Sequence, residues 1–242
     1  HADEIADYEG WLPRARIYKR CGFKMTVAIN GYGVFNKHLG VNTMGLWIPL
    51  YNFFLSRWSV PVADDDPIYF SKKFRDERHQ AGEQIWPYVC GPGPYAWSTR
   101  PRSQARYLIL DTYMKGADGL TYYGGMVWSH VLDPAYRKKR KARLFNIDST
   151  FFTLFYPDYD LQGLLPTLRV CSFRFGLEDA TATQVVRTLA AKKGRLEPTE
   201  AEIQKSYATI NMNSAQDTFN AHRRRLSELY SALKSQSRDL ER

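Results

Sequence analysis

The chain has 242 residues, of which 44% are hydrophobic and 24% are charged. This balance is typical of a globular protein and excludes an intrinsically disordered one, and the length allows one large core or two smaller ones. The net charge is +9 and aromatic residues make up 14% of the chain, which favours a flat-faced ligand such as a sugar or a nucleobase without choosing between them.

The positive charge is concentrated in two segments, Arg137–Arg143 and Arg223–Arg225. One interpretation is a patch that binds phosphate backbones or acidic glycans. The other is a solvent-exposed loop and a solvent-exposed helix face. We prefer the second interpretation because no nucleic-acid-binding motif accompanies the charge, and we therefore do not expect a nucleic-acid partner.

The three cysteines, Cys21, Cys90 and Cys171, are far apart, and the sequence has no Cys-x-x-Cys or other metal-ligand spacing. This pattern predicts no metal site and no disulfide framework, and it leaves at least one thiol free. The longest apolar run, Leu46–Leu55, contains Asn52 and is too short to cross a bilayer, so we expect no membrane span. No signal peptide is visible at the start of the chain.

The first third of the chain predicts alternating helices and strands. Asp7 is a suitable N-cap for a helix over 8–20, although Pro13 moves its expected start towards Leu12. The elements expected after it are a strand over 23–29, a strand over 45–51 and a helix from Pro67 to about Gln80.

The stretch 82–128 continues this alternation and is the most informative part of the sequence. Ile85–Cys90 is short, apolar and aromatic, as expected for a buried strand, and the Gly-Pro-Gly-Pro sequence after it cannot extend that strand. A helix over 102–115 is expected to end at Gly116, because glycine adopts a positive φ without penalty. Gly119–Tyr123 predicts the next strand.

The last third of the chain predicts helices. After a long irregular segment, 128–165, we expect helices over 167–193, over 198–211 and from 214 to the end, and Gly176 could interrupt the first of them. Apolar residues recur in these helices at helical spacing, which is typical of packing surfaces rather than of ligand sites.

The order of these elements predicts an α/β fold of the (β/α)8 TIM-barrel type. About four strands are expected, so we interpret residues 1–190 as the C-terminal half of a barrel, entered just after a fourth strand, and residues 191–242 as a C-terminal helical extension. A half barrel exposes two sheet edges. We therefore expect the missing half from a longer chain, a second copy or another subunit to complete the sheet.

Five segments, taken in order, point to a known family. They are Asp3-Glu4, GLWIPLYNFF at 45–54, GEQIWPYVCGPGPY at 82–95, KGADGLTYYGGMVW at 115–128 and LPTLRVCSFRFGLED at 165–179. Their order and spacing resemble the catalytic domain of glycoside hydrolase family 123, over roughly residues 1 to 190. The segments 36–42 and 133–160 match nothing in that pattern.

The resemblance implies a TIM-barrel exo-hydrolase of terminal β-linked N-acetylhexosamine, with N-acetylgalactosamine favoured. In such enzymes the acetamido oxygen of the substrate attacks the anomeric carbon, so the enzyme supplies no carboxylate nucleophile and no cofactor. Asp3 would accept a hydrogen bond from the acetamido N–H, and Glu4 would protonate the leaving oxygen and then activate water. The resemblance also favours an extracellular or periplasmic location.

The other candidate site residues are aromatic or amide side chains on or after predicted strands, where they would stack on a sugar ring or bind its hydroxyls. They are Asn30, Tyr32, Trp47, Tyr88, Tyr122, Tyr123 and Trp128. Because Trp47 and Tyr88 lie within predicted strands, a role in the hydrophobic core is at least as strong an alternative for both.

A second functional class stays open from the sequence. The basic segment Arg137–Arg143 and the truncated start of the barrel are also compatible with a non-catalytic, barrel-derived protein that binds glycans or has a structural or assembly role. Hydrolysis that depends on Asp3 and Glu4 separates the two classes.

Overall fold

The computed structural model describes residues 2–3, 8–23, 25–29, 45–49, 72–89, 103–122, 154–157 and 164–235. The described helices are α1 (Tyr8–Arg20), α2 (Lys72–Gln80), α3 (Ser103–Met114), α4 (Leu168–Lys192), α5 (Leu196–Tyr207) and α6 (Gln216–Ser235). The described strands are β1 (Ala2–Asp3), β2 (Thr26–Ile29), β3 (Leu46–Pro49), β4 (Gln84–Ile85), β5 (Tyr88–Val89), β6 (Thr121–Tyr122), β7 (Phe155–Pro157) and β8 (Leu164–Pro166).

The chain divides into two compact units. The first, here called the sheet unit, comprises residues 1–98 and 112–153. The second, here called the helical unit, comprises residues 99–111 and 154–242. One division falls inside α3, so its residues up to Asp111 belong to the helical unit and its last turn belongs to the sheet unit.

The sheet unit is built on parallel strands. β1, β2, β3 and β4 form one parallel sheet in that order, and β5 and β6 form a two-stranded parallel sheet. Pro87 separates β4 from β5 because proline has no N–H to donate to a neighbouring strand. Its carbonyl oxygen is still used, since it accepts a hydrogen bond of 2.8 Å from the Thr121 N–H.

The core of the sheet unit follows the alternation of side chains along these strands. Trp47 and Ile85, which are register partners in β3 and β4, are both fully buried. Ile48 and Tyr88 form a second buried cluster with the partly buried Leu46. Burying an aliphatic or aromatic side chain of this size contributes about 1.5–3 kcal/mol relative to an exposed one, so each of these residues adds to the stability of the unit on that scale.

The helical unit contains three helices that pack pairwise, α4, α5 and α6, preceded by an antiparallel hairpin of β7 and β8. The buried residues of α4 recur at intervals of three and four and are mostly small. They are Ser172, Gly176, Asp179, Ala180, Thr183, Val186 and Ala190. The buried face of α6 is larger and includes Phe219, Leu226 and Leu233. Small residues on one helix therefore face bulky residues on its neighbours.

Gly176 lets α3 approach α4 closely. A Cβ atom at this position would lie 2.7 Å from the carbonyl oxygen of Arg106 and 2.8 Å from the Cβ of Ile109. The sequence suggested that Gly176 could interrupt the helix, but α4 is continuous from Leu168 to Lys192. The glycine serves a close contact between helices and not a break.

The predicted (β/α)8 TIM-barrel type of fold is wrong. The described residues are mostly helical, their strands are only two to four residues long, and these strands form short separate sheets that do not close. A barrel needs strands long enough to tilt and pair continuously around a closed ring. The predicted boundary at residue 190 also falls inside α4, which belongs to the helical unit.

Several local predictions agree with the described elements. The helices expected over 8–20, 102–115 and 167–193 correspond to α1, α3 and α4. Gly116 follows the end of α3 with a φ of 79°, as expected for a C-cap glycine. Pro13 lies inside α1 and does not delay its start, which is at Tyr8.

Candidate functional site

The carboxyl edge of the parallel sheet gathers the ends of three strands. The register pairs Asp3 of β1 with Ala28 of β2, and Ile29 of β2 with Pro49 of β3. Because these strands run in the same direction, their carboxyl ends meet at one edge, which is where open parallel sheets bind ligands. Asp3 is the last residue of β1 and therefore lies at this edge.

Tyr122 ends β6 in the same unit, with Val89 of β5 as its register partner. Its side chain is half-buried, so part of the ring stays open to solvent. Five other predicted site residues lie outside the described residues, namely Glu4, Asn30, Tyr32, Tyr123 and Trp128. Two parts of the predicted site therefore lie at the same edge of the sheet. One is Asp3 at the end of β1, and the other is the end of β2, which Asn30 follows in the sequence.

Trp47 and Tyr88 lie in the core of the sheet unit. Trp47 is fully buried, and its indole N–H donates a hydrogen bond of 3.0 Å to Oε2 of Glu83. Tyr88 is 7% exposed and packs on Ile48. Side chains buried to this extent have no free face for a sugar ring. Both therefore lie in the hydrophobic core, which is the alternative that the sequence left open for them.

The indole of Trp47 is part of a buried charged cluster. The guanidinium carbon of Arg78, on α2, lies 4.5 Å from the centroid of the Trp47 ring, and its Nη1 lies 3.5 Å from Oε2 of Glu83. Burial lowers the pKa of the Arg78 guanidinium, while the Glu83 carboxylate opposes that shift. The cation–π contact joins the end of α2 to β3, and the ion pair joins it to Glu83, just before β4.

Asp118 and His79 form a second polar pair in the sheet unit. Oδ2 of Asp118 accepts a hydrogen bond of 2.8 Å from the Ile85 N–H and lies 3.0 Å from Nε2 of His79. Asp118 precedes β6 and Ile85 lies in β4. The pair thus ties α2 to β4 and to the segment just before β6.

The helical unit contains a buried carboxylate at Asp179, whose side chain has no exposure. It accepts hydrogen bonds from Nε and Nη2 of Arg106 on α3 and from Nε of Arg223 on α6. The guanidinium of Arg106 also lies 4.8 Å from the centroid of the Phe219 ring. Three helices are therefore joined at one carboxylate, which is a structural arrangement and leaves little of the charge free for chemistry.

A second buried carboxylate, Asp111, joins α3 to α5. Its Oδ1 accepts hydrogen bonds from the hydroxyls of Tyr107, at 2.9 Å, and Tyr207. Burial strongly raises the pKa of the Tyr207 hydroxyl, and the adjacent Asp111 charge raises it further. Tyr207 is consequently held as a neutral hydrogen-bond donor.

The sequence predictions did not include these buried polar residues. One signal was present for Asp179: it is the only charged residue in the otherwise small and neutral buried stripe of α4. A charge at a core position of a periodic stripe requires a partner. The sequence does not show that the partners are Arg106 and Arg223, which lie 73 and 44 residues away.

The described part of the chain lacks the features of a metal site and of a membrane span. No group of three or more His, Cys, Asp or Glu side chains in it is placed to hold a metal ion. None of its helices is both long enough and apolar enough to cross a membrane. Comparison with known proteins matched the chain to no protein-family model and to no curated protein sequence.

Proposed function

We propose that the chain hydrolyses a terminal β-linked N-acetylhexosamine, with N-acetylgalactosamine as the favoured sugar, by a substrate-assisted retaining mechanism. The observation that supports it is the parallel register of β1 and β2, which brings Asp3 to the carboxyl edge of the sheet. Glu4 follows Asp3 directly and Asn30 follows β2 directly. The reaction is the one that the resemblance to glycoside hydrolase family 123 implies, and the position of Asp3 at this edge is compatible with it.

In this mechanism the acetamido oxygen of the substrate attacks the anomeric carbon and the glycosidic bond breaks. Asp3, as a carboxylate, accepts the acetamido N–H and stabilises the positive charge of the oxazolinium intermediate. Glu4 gives its proton to the leaving oxygen. It then takes a proton from the water that opens the intermediate, which restores the starting protonation state of the enzyme.

The test is hydrolysis of a phenyl β-N-acetylgalactosaminide by the 242-residue chain. Glu4→Gln removes the proton donor, and we expect kcat/KM to fall by about 10²–10⁴, the usual contribution of general acid–base catalysis. Glu197→Gln makes the same chemical change at an exposed position on α5 and should leave the rate unchanged. Equal rates for wild type and Glu4→Gln would reject the assignment.

A second measurement separates substrate assistance from other routes. Replacing hydrogens of the substrate's acetyl group with fluorine makes its oxygen a poorer nucleophile. We therefore expect the rate to fall with each fluorine added, and a rate that does not respond to fluorine would reject substrate assistance even if the chain hydrolyses the glycoside.

The second candidate function is a non-catalytic glycan-binding or structural protein. The burial of Trp47 and Tyr88 favours the structural role within this alternative, because it removes two aromatic side chains from the predicted sugar platform. This alternative predicts glycan binding without hydrolysis, and the binding affinity should be unchanged in an Asp3→Asn, Glu4→Gln double variant. Hydrolysis that depends on both residues would exclude it.

A further inference from the structure

His222 is a buried titratable side chain in the helical unit. It lies on the inner face of α6, one turn from both Phe219 and Leu226, and only 2% of its surface is exposed. Its Nδ1 lies 2.7 Å from Oγ of Ser206 on α5, whereas its Nε2 is buried and has no hydrogen-bond partner. The imidazole therefore sits in the core with a single polar contact, and that contact is to another helix.

The Ser206 hydroxyl determines which ring nitrogen carries the proton. Its only hydrogen is donated to the carbonyl oxygen of Ile203, at 3.0 Å. The Ser206 oxygen then accepts a hydrogen bond from the Nδ1–H of His222, and Nε2 carries a lone pair. The opposite tautomer would bury an N–H at Nε2 without an acceptor, which costs about 1–3 kcal/mol. The neutral Nδ1–H form thus gives both hydrogen-bond donors, the Nδ1–H and the Ser206 hydroxyl, an acceptor.

Charged groups on two other helices act on the ring. Asp179 of α4 favours the protonated imidazole, and Arg106 of α3 disfavours it. From α5 the group in contact is the Ser206 hydroxyl, which does not titrate. On α6 itself, Arg223 is bonded to Asp179 and Arg225 is paired with Glu202 and Glu228. Asp179 is thereby already occupied by two guanidinium groups.

We propose that His222 is an acid-sensitive latch of the helical unit: the neutral ring fastens α6 to α5 through Ser206, and protonation releases α6. A proton added at Nε2 creates a buried N–H donor and a buried positive charge. The nearest compensating carboxylate, Asp179, can accept this donor only by giving up part of its bonding to Arg106 or Arg223. Either result weakens the contacts that hold α6 in place.

The direction of the pH effect follows from the pKa of His222. Burial lowers this pKa below the usual 6.5, Arg106 adds to the shift, and Asp179 opposes it. Since the unfolded chain takes up the proton at higher pH than the folded one, the stabilisation is complete above about pH 6.5 and is lost as the pH falls. If the folded ring stays neutral, the unfolding equilibrium constant rises by about tenfold between pH 7.5 and pH 5.5.

The first test is made on the wild-type chain and needs no variant to fold. The imidazole resonances of His222 are followed by NMR from pH 8 to pH 4, together with the hydrogen exchange of the α6 amides corrected for intrinsic rates. We expect a titration midpoint clearly below 6.5, with protection of α6 lost over the same range. A midpoint at or above 6.5, or α6 protection that does not follow the titration, overturns the proposal.

The second test removes the titrating ring. We expect His222→Gln to abolish the tenfold change in the unfolding constant of the helical unit between pH 7.5 and pH 5.5. His79→Gln is the matched control, because His79 is 37% exposed and belongs to the sheet unit; it should leave that change intact. An equal pH dependence in wild type and His222→Gln overturns the proposal. If His222→Gln does not fold, the titration of the wild-type chain decides.

Discussion

The two units bury charge in different ways. In the sheet unit the buried ion pair joins Arg78 to Glu83, five positions further along the chain, and Trp47 reaches the same carboxylate from 36 residues away. In the helical unit each buried carboxylate binds at least one partner at a much greater separation, 73 residues for Arg106 and Asp179 and 96 for Asp111 and Tyr207.

This difference follows from what each unit has to bury. The strands of the sheet unit carry large apolar side chains such as Trp47 and Ile85 into the core. The buried stripe of α4 is made of small residues, which offer little apolar area and few distinctive shapes. We infer that in the helical unit the polar contacts of Asp179 and Asp111 select which helices meet, a role known for some buried polar groups.

The largest expected effect comes from breaking the contacts of Asp179. Asp179→Asn leaves the buried guanidinium of Arg106 without a negative partner, and we expect a loss of about 3–5 kcal/mol in the free energy of unfolding of the helical unit. All six tryptophans fall within the sequence ranges of the sheet unit, so tryptophan fluorescence reports on that unit. Circular dichroism at 222 nm reports mainly on the helices, and the loss should appear there first.

The neighbouring residue provides the control for this variant. Glu178 pairs with Arg174 and Arg223, but all three side chains are more than a third exposed. Solvent screens such contacts, so Glu178→Gln should cost no more than about 1 kcal/mol. Similar losses of unfolding free energy for the two variants would mean that the buried charge of Asp179 stabilises the helical unit no more than the exposed charge of Glu178 does.

The second prediction compares one glycine from each unit. At Gly176 an added methyl group meets backbone and Cβ atoms of α3, which cannot move independently, and we expect Gly176→Ala to cost about 1–3 kcal/mol. At Gly119 the added atom would lie 2.8 Å from the Trp86 ring, which is 36% exposed and can shift outward. Gly119→Ala should cost less and should change tryptophan fluorescence. The reverse order of losses would contradict this account of the two contacts.

The sequence predicted the local elements well, because local patterns determine them. The apolar runs around Trp47 and Ile85, the glycine at Gly116 and the long periodic stripe of α4 each indicate one element within a few residues. Pro87 is an instructive exception, since the sequence favoured one strand over 85–90 and the missing N–H of this proline divides it into β4 and β5.

The overall fold and the site were predicted less well, because both depend on contacts between distant residues. The helical spacing of Gly176 and Asp179 is visible in the sequence, but the approach of Arg106 to both of them is not. The barrel prediction extrapolated from the order of elements, and order alone does not determine how far a sheet extends. Within the predicted site, the family resemblance singled out Asp3, but the sequence predicted neither the short strand β1 that ends at this residue nor the complete burial of Trp47.

The smallest expected effect concerns an ion pair near the surface of the helical unit. Arg187 of α4 donates from Nε and Nη2 to the two oxygens of Glu200 on α5, at 2.7 and 2.6 Å, with both side chains less than a third exposed. We expect Glu200→Gln to cost about 0.5–1 kcal/mol, since solvent screens part of the attraction.

The hydrogen bonds from Arg187 hold the pKa of Glu200 below its usual 4.5. The contribution is therefore present above about pH 4.5 and is lost as the pH falls further. The free energy of unfolding, measured from pH 7 to pH 3, should fall less steeply in Glu200→Gln than in the exposed control Glu197→Gln. Parallel curves would show that this ion pair, unlike the contacts of Asp179, contributes nothing measurable to the packing of α4 on α5.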